Sequence, residues 1–301
     1  MTALGSRAVS VGDARSLPVE PPDALPGDPA ALEERRARNA GTSGSRRVLV
    51  AGIRVVVVVA FLWFWEFVSG KPGKPHVLLD HYYVSKPSEI WEALRDWIHD
   101  GRLWSNVVAT YRVAIGGFVV GSIAGAIVGF ILGASRLAGD VLKPIVNAIN
   151  SIPKLALLPL FFLWLGFDDT PRYALVSTVV FFLVFFNTFA GVREVDQGLV
   201  DMMRVMQAKR RHIFTTVLIP ATMTWIITSM QFSVPYALVT AVTAEMLASN
   251  KGVGSLLTSS SSSFFTPGVF AAVVVMMAMS LALTSLMSVL ESRLLRWKKT
   301  T

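Results

Sequence analysis

Residues 107–133 read VVATYRVAIGGFVVGSIAGAIVGFILG. A helix of that length rises ~40 Å, enough to cross about 30 Å of hydrocarbon. Glycine recurs in it at every fourth position: Gly117, Gly121, Gly125, Gly129 and Gly133. Overlapping GxxxG steps let helix backbones approach closely in lipid, where packing drives association. A step of four advances roughly 400° against a turn of 3.6 residues, so the stripe drifts around the helix. The drift favours a crossing partner over a parallel one. That partner is a helix of the same chain or of a second copy, or else the stripe lines a solute path.

Outward from this stretch, apolar runs occupy 48–68, 144–166, 173–192, 221–247 and 269–290. The chain has 301 residues, 53% of them hydrophobic and only 16% charged, more apolar surface than a water-soluble domain hides. The fold class that follows is an all-α integral membrane protein, with about six transmembrane helices within 49–292. Residues 1–48 carry Pro18, Pro21, Pro22, Pro26 and Pro29 among scattered charges and read as a disordered tail. Lysine and arginine gather in 35–47, 136–143, 193–211 and 293–299 and are sparser in the alternate segments. The positive-inside rule then makes both termini cytoplasmic, with 293–301 a basic tail, in a multi-pass protein of the plasma membrane. The net charge of +8 sits beside apolar segments and suits anionic lipid rather than nucleic acid. The absence of cysteine excludes disulfides and thiolate chemistry. His76, His81, His99 and His212 form no HExxH spacing, so neither a metal nor a catalytic site is expected.

Smaller features carry the functional reading. In 87–100, Ile90, Trp91, Leu94, Trp97 and Ile98 share a face opposite Glu89, Glu92, Arg95, Asp96 and Asp100. This is an amphipathic helix, lying at the outer membrane surface or packed on its own bundle. Asn147, Asn150, Ser151 and Lys154 fall on one helical face beside Pro153 and Pro159, as a kinked helix lining an aqueous path would have them. Lys154 either attracts an anionic solute or snorkels to the interface. A hydroxyl stripe, Ser229, Ser233, Tyr236, Thr240 and Thr243, serves as a second pathway wall or as interhelical glue. Phe181, Phe182, Phe185, Phe186 and Phe189 face lipid and neighbours or form a hydrophobic gate, and Glu245 is a structural acid or part of an outer gate.

The segment 193–220 is the most informative. It predicts two short helices separated near 208–211 and ending at Pro220. Met202, Met203, Val205 and Met206 are apolar, Lys209 to His212 are basic, and Ile213, Phe214, Val217 and Leu218 are apolar again. A loop of this kind engages a cytoplasmic partner, and flexible methionines suit such a surface.

This segment resembles the EAA loop of the permease subunits of binding-protein-dependent ABC importers. Asp201, Met202 and Met203 stand at the Glu-Ala-Ala positions, and Arg204 follows. Gln207 stands at the glycine, Ala208 follows, and Val217-Leu-Ile-Pro220 matches the ending. Met202-Met203 is bulkier than the pattern, and Gln207 forgoes the glycine that makes the turn easy. Ser151-Ile-Pro-Lys-Leu-Ala-Leu-Leu-Pro-Leu160, Leu163-Trp-Leu-Gly166, Ser85-Lys-Pro-Ser88, Gly101-Arg-Leu-Trp104 and Glu245-Met-Leu with Gly252-Val-Gly254 resemble the nitrate/sulfonate/taurine class, in order along 80–290.

The resemblance implies two permease subunits, usually a homodimer, forming the path, and two copies of a cytoplasmic ATPase receiving these loops as coupling helices. A binding protein delivers solute on the outside. The coupling residues it implies are Asp201, Met202, Met203, Arg204, Gln207, Ala208, Lys209, Arg210, Ile213 and Pro220. ATP and magnesium belong to the partner, because no GxxxxGK[ST] is present and this subunit needs no cofactor or enzymatic activity of its own. The solutes implied are small and polar, anions by the charge of Lys154: sulfonate, nitrate, taurine or aromatic carboxylate. An energy-independent channel or secondary transporter is the alternative, but internal repeats or intramembrane acid pairs are not seen.

Overall fold

A computed structural model describes residues 29–69, 84–248 and 250–294. Among them the chain is helical, in the order α1 (Pro29–Val68), α2 (Pro87–His99), α3 (Arg102–Ala134), α4 (Arg136–Asn150), a 3-10 turn (Lys154–Leu157), α5 (Leu158–Leu165), α6 (Thr170–Arg193), α7 (Gln197–Val205), α8 (Arg210–Ile213), a π turn (Phe214–Leu218), α9 (Ile219–Ala248), α10 (Val253–Ser262) and α11 (Thr266–Leu294). By its contacts the chain divides after Trp63, and the bundle described below is the unit from Phe64 onward. Most of α1 belongs to the first unit. The tail expected to be structureless through residue 48 is helical from Pro29. Ala, Leu, Glu and Arg, the strongest helix formers, crowd 30–38, and proline suits a first turn. Residues 1–28, His76, His81 and the basic residues beyond 294 lie outside the described residues.

The glycine stripe of α3 packs against α6 of the same chain. A methyl added at Gly117 would meet Val176, at Gly121 the Ser177 carbonyl, at Gly125 the Phe181 carbonyl, at Gly129 the Phe185 carbonyl and at Gly133 Val192. Both helices count upward together in steps of four. The two stripes drift alike, so contact persists along five successive steps instead of at one crossing point. Beneath it Val176, Val180, Val184 and Phe185 are wholly buried.

This register settles how the chain runs between the two helices. With Gly117 beside Val176, the start of α6 lies level with about residue 111 of α3. The chain leaves α3 at Ala134 and must climb back ~35 Å before α6 begins. The segment between is bent by 79° between Arg136–Asn150 and Lys154–Leu165. Arms of about 22 and 20 Å joined at that angle reach ~33 Å, so the pair makes one broken crossing and not a re-entrant hairpin. With the helices Leu49–Val68, Arg102–Ala134, Thr170–Arg193, Arg211–Ala248 and Thr266–Arg293, each long and apolar enough to span a membrane, this makes six among the described residues.

The third span thus differs from the continuous helix read at 144–166. It begins at Arg136, capped by the Ser135 hydroxyl, which accepts from Ala138 N, and it tolerates Pro144 inside. It stops at Asn150 because Pro153 has no N–H to continue the ladder and disfavours helical geometry at Ile152. Pro159 then sits in the first turn of α5.

Helix α2 buries Ile90, Ala93 and Trp97 against the main core, so it packs on the bundle while Trp91 and Ile98 stay exposed. Its start is held by Glu66, whose carboxylate accepts from Ser88 N (3.1 Å) and Ser88 Oγ (2.9 Å). Near α10 a polar knot joins three helices. Thr110 Oγ1 donates to Glu245 Oε2 (2.9 Å) and accepts from Val253 N (2.9 Å). Gly254 N donates to the same carboxylate oxygen (3.0 Å), and Gly252 N donates to Asn106 Oδ1 (2.7 Å). Glu245, only 1% exposed, is a structural acid here. A side chain at Gly252 would overlap its carboxylate, at a backbone φ of 110° that itself favours glycine.

We expect Gly125→Leu to wedge α3 off α6, since its added Cβ would lie 2.6 Å from a backbone oxygen. Ile127→Val, at an exposed position of the same helix, should be neutral. The yield of monodisperse protein by detergent size-exclusion should fall at least several-fold for the first and stay unchanged for the second.

Candidate functional site

Lys154 sits just past the break in the third span. Its ammonium donates to the carbonyl and to the side-chain oxygen of Asn150, the latter at 2.7 Å, and lies 5.2 Å from the centre of the Phe182 ring. The lysine thereby caps the carbonyl end of α4, where positive charge is favoured. Among the described residues it has no carboxylate partner. An ammonium has three donors, so one N–H and the full charge remain for another ligand.

These groups line a cavity of about 280 Å³ with Phe186, Asn187 and Tyr236. The structure brings Asn150, Lys154 and Tyr236 together here and leaves Asn147 and Ser151 outside. Ser151 donates its hydroxyl to Asn147 O (3.0 Å) within the end of α4. The four residues do not share one continuous helical face, because the helix ends before the last of them. Asn187 was missed by the sequence reading. Its signal was available, as the lone amide in the aromatic run of α6.

The hydroxyl stripe of α9 fares differently. Ser229, Ser233 and Thr240 are buried, while Tyr236 is 55% exposed. Their hydroxyls donate to carbonyls of their own helix, at Ile226, Met230 and Tyr236, and Thr243 donates to Val239. Serine and threonine in helices reach back this way readily, which removes them as free pathway donors. The stripe runs along the edge of the buried face, and only its tyrosine reaches the cavity. Of the phenylalanines, Phe182 and Phe186 line it, while Phe185 and Phe189 are core.

A second cavity, of about 1110 Å³, opens at the α10 end between α3, α6 and α9. Arg112, Arg172 and Lys251 line it with a single acid, Asp169, which pairs with Arg172. Arg112 lies inside the quoted stretch and was passed over there. An arginine among apolar residues of a span is costly unless it faces water or a ligand, and that was the signal.

At the opposite end, α7 and α8 form a folded unit. Asp196 caps α7 by accepting from Gly198 N (2.8 Å). Val195, Val200 and Ile213 are buried together, with Met203, Ala208, Val217 and Leu218 packed on them. Met202, Val205 and Met206 face outward, the last two at 84% and 68% exposure. Asp201 and Arg204 pair at 2.9 Å, and Lys209 is exposed. Helix α7 ends in a Schellman turn: Ala208 N donates to Met203 O (3.0 Å) and Gln207 N to Arg204 O (2.9 Å). Gln207 has a φ of 55°, so the residue at the glycine position takes the glycine's conformation without being one. Pro220 does not end the loop as expected. The chain is helical from Arg210 onward, and Pro220 lies in the first turn of α9. It lacks an N–H for the turn before it, and that turn widens to π geometry over Phe214–Leu218.

The family described as binding-protein-dependent transport system inner membrane component matches residues 117–296. The chain belongs to this family. Its relatives include a Bacillus subtilis (strain 168) protein named for aliphatic sulfonates transport, the permease SsuC, 31% identical over 70% of this chain and 77% of that one. The taurine transport system permease TauC of Escherichia coli (strain K12) is 25% identical over 73% and 82%. The riboflavin transport system permease RibX of Chloroflexus aurantiacus is 28% identical over 81% and 89%. A crystal structure of an amino acid ABC transporter with histidines shares the fold, with a TM-score of 0.53 and 17% identity over 66% of this chain and 97% of that one. The permease is a membrane-embedded transport component, and the paired helices α7 and α8 lie within its matched region.

Left-handed geometry costs a non-glycine residue on the order of 1 kcal/mol. Gln207→Gly should therefore stabilise the α7 turn by up to about 1 kcal/mol, and the β-branched Gln207→Val should destabilise it by at least as much. Limited proteolysis within 193–220 reads both, slowing for the first and accelerating for the second.

Proposed function

We propose that this permease forms the path of an ATP-driven importer for a small polar anion, and that it couples to a separate ATPase through residues 196–213. The observation that carries the proposal is mechanical. Helix α7 presents Met202, Val205 and Met206 outward on a buried anchor, and from Arg211 the chain stays helical through the π turn to Ala248, past Tyr236 at the Lys154 cavity. A push on α7 and α8 is thus passed through the π turn and along α9 to the cavity.

In this reading the α7–α8 end is cytoplasmic, as the lysines and arginines of 193–211 favour, and both termini share that side. Two copies of the ATPase, carrying ATP and magnesium, dock there on Asp201 to Ile213. A binding protein delivers solute to the α10 end, where Arg112, Arg172 and Lys251 attract an anion toward Lys154. The Lys154 cavity is small for a ligand site and open on the side of the exposed Tyr236, so a second copy of the chain completes it as a homodimer. The sulfonate and taurine names of the relatives agree with an anionic head group.

The charge swap Asp201→Lys with Arg204→Glu keeps the pair across one turn while reversing the surface it presents. It should abolish co-purification of a nucleotide-binding ATPase from detergent-solubilised native membranes and leave membrane insertion intact. Retention of the ATPase by the swapped protein, or its absence from the unmodified one, would favour a channel or secondary transporter. Separately, Lys154→Met should cut uptake of a sulfonate into proteoliposomes of the assembled complex about tenfold without loosening ATPase assembly. Unchanged uptake would return Lys154 to a purely capping role.

A further inference from the structure

A third cavity, of about 610 Å³, lies at the α7–α8 end between the ends of α3 and α6, the start of α4 and the segment 195–218. Part of its wall is apolar, through Val192, Val200, Ile213 and Leu218, and the larger part is polar. Three arginines from three different helices also line it, and no acidic side chain does: Arg136 opens α4, Arg193 closes α6 and Arg204 sits on α7.

Arg193 is held in place. Its guanidinium lies across Gly139 and 5.2 Å from the centre of the Phe189 ring. Its Nη2 donates to Arg136 O (3.2 Å) and Asp140 Oδ1 (3.1 Å), but its Nε is buried and lacks a hydrogen-bond partner. A buried donor left unmade costs about 1–3 kcal/mol, so an acceptor there is favoured. Arg136 has no carboxylate partner among the described residues. Arg204 commits only Nη1, to Asp201. Guanidinium forks match phosphate oxygens better than any other side chain does.

We propose that this cavity is a phosphate site. The occupant is the phosphodiester of an anionic phospholipid, with its glycerol end on the apolar walls, or a soluble phosphate from the same side. The lipid source rests on the cytoplasmic orientation proposed above, whereas the phosphate chemistry does not. An occupant bridges the broken span, α6 and the coupling helix, and so ties the motion of α7 to that of α4.

The test uses the full purified chain and needs neither ATPase nor transport, so it stands apart from the importer reading. Native mass spectrometry after reconstitution in nanodiscs of equal phosphatidylglycerol and phosphatidylcholine should find phosphatidylglycerol retained severalfold over phosphatidylcholine. Arg136→Gln should lose that preference, and Arg211→Gln, an exposed arginine outside the cavity, should keep it. In the second arm, inorganic phosphate in lipid-free detergent should raise the melting temperature of the unmodified chain but not of Arg136→Gln if the source is soluble. If Arg136→Gln does not fold, Arg136→Lys, which keeps charge but not the fork, should show weakened retention. Lipid preference and phosphate response that are both indifferent to Arg136 would overturn the proposal.

Discussion

The rest of the bundle depends on how closely α3 and α6 approach. In a membrane the apolar effect does not distinguish lipid from protein, so association needs backbone contact at van der Waals range. Five glycines on α3 provide it, with carbonyls of Ser177, Phe181 and Phe185 where side chains would otherwise stand. Because the contact holds over the length of both helices, it also fixes their relative height. That height dictates the climb of the segment between them, and so the broken geometry beside Lys154. The glycine stripe is thus upstream of the candidate path without lining it.

Three irregular places in the backbone lie near the Lys154 cavity or the segment 193–220. These are the 79° break, the left-handed Gln207 and the π turn before Pro220. Proline accounts for the break and for the π turn, by withholding an N–H. Helix α9 carries Tyr236 and continues, through the π turn, the helix that starts at Arg211.

Much of the candidate site was legible from spacing. The two short helices of 193–220 follow from alternating apolar and basic clusters, whereas the turn at Gln207 was not legible, because the residue there is not the glycine that would announce it, and only the structure shows its left-handed φ. The pathway residues were less so. Ser229, Ser233 and Thr240 have the right period, but period does not say whether a hydroxyl is spent on its own backbone, and theirs are. Asn187 and Arg112 each stood alone in an apolar run, and a rule that asks what every isolated polar residue in a span is facing would have found both.

By itself the sequence determined the class of the protein and its set of about six apolar segments long enough to cross a membrane, since these rest on local quantities: run length, helical period, and the placement of charge and proline. Only the tertiary structure decided that the glycine stripe meets α6 of the same chain, that the third span bends, that α2 packs inward, and that Asn150, Lys154, Asn187 and Tyr236 share one cavity. Those outcomes depend on which helix faces which and at what height, and one dimension of sequence carries no record of register between distant segments.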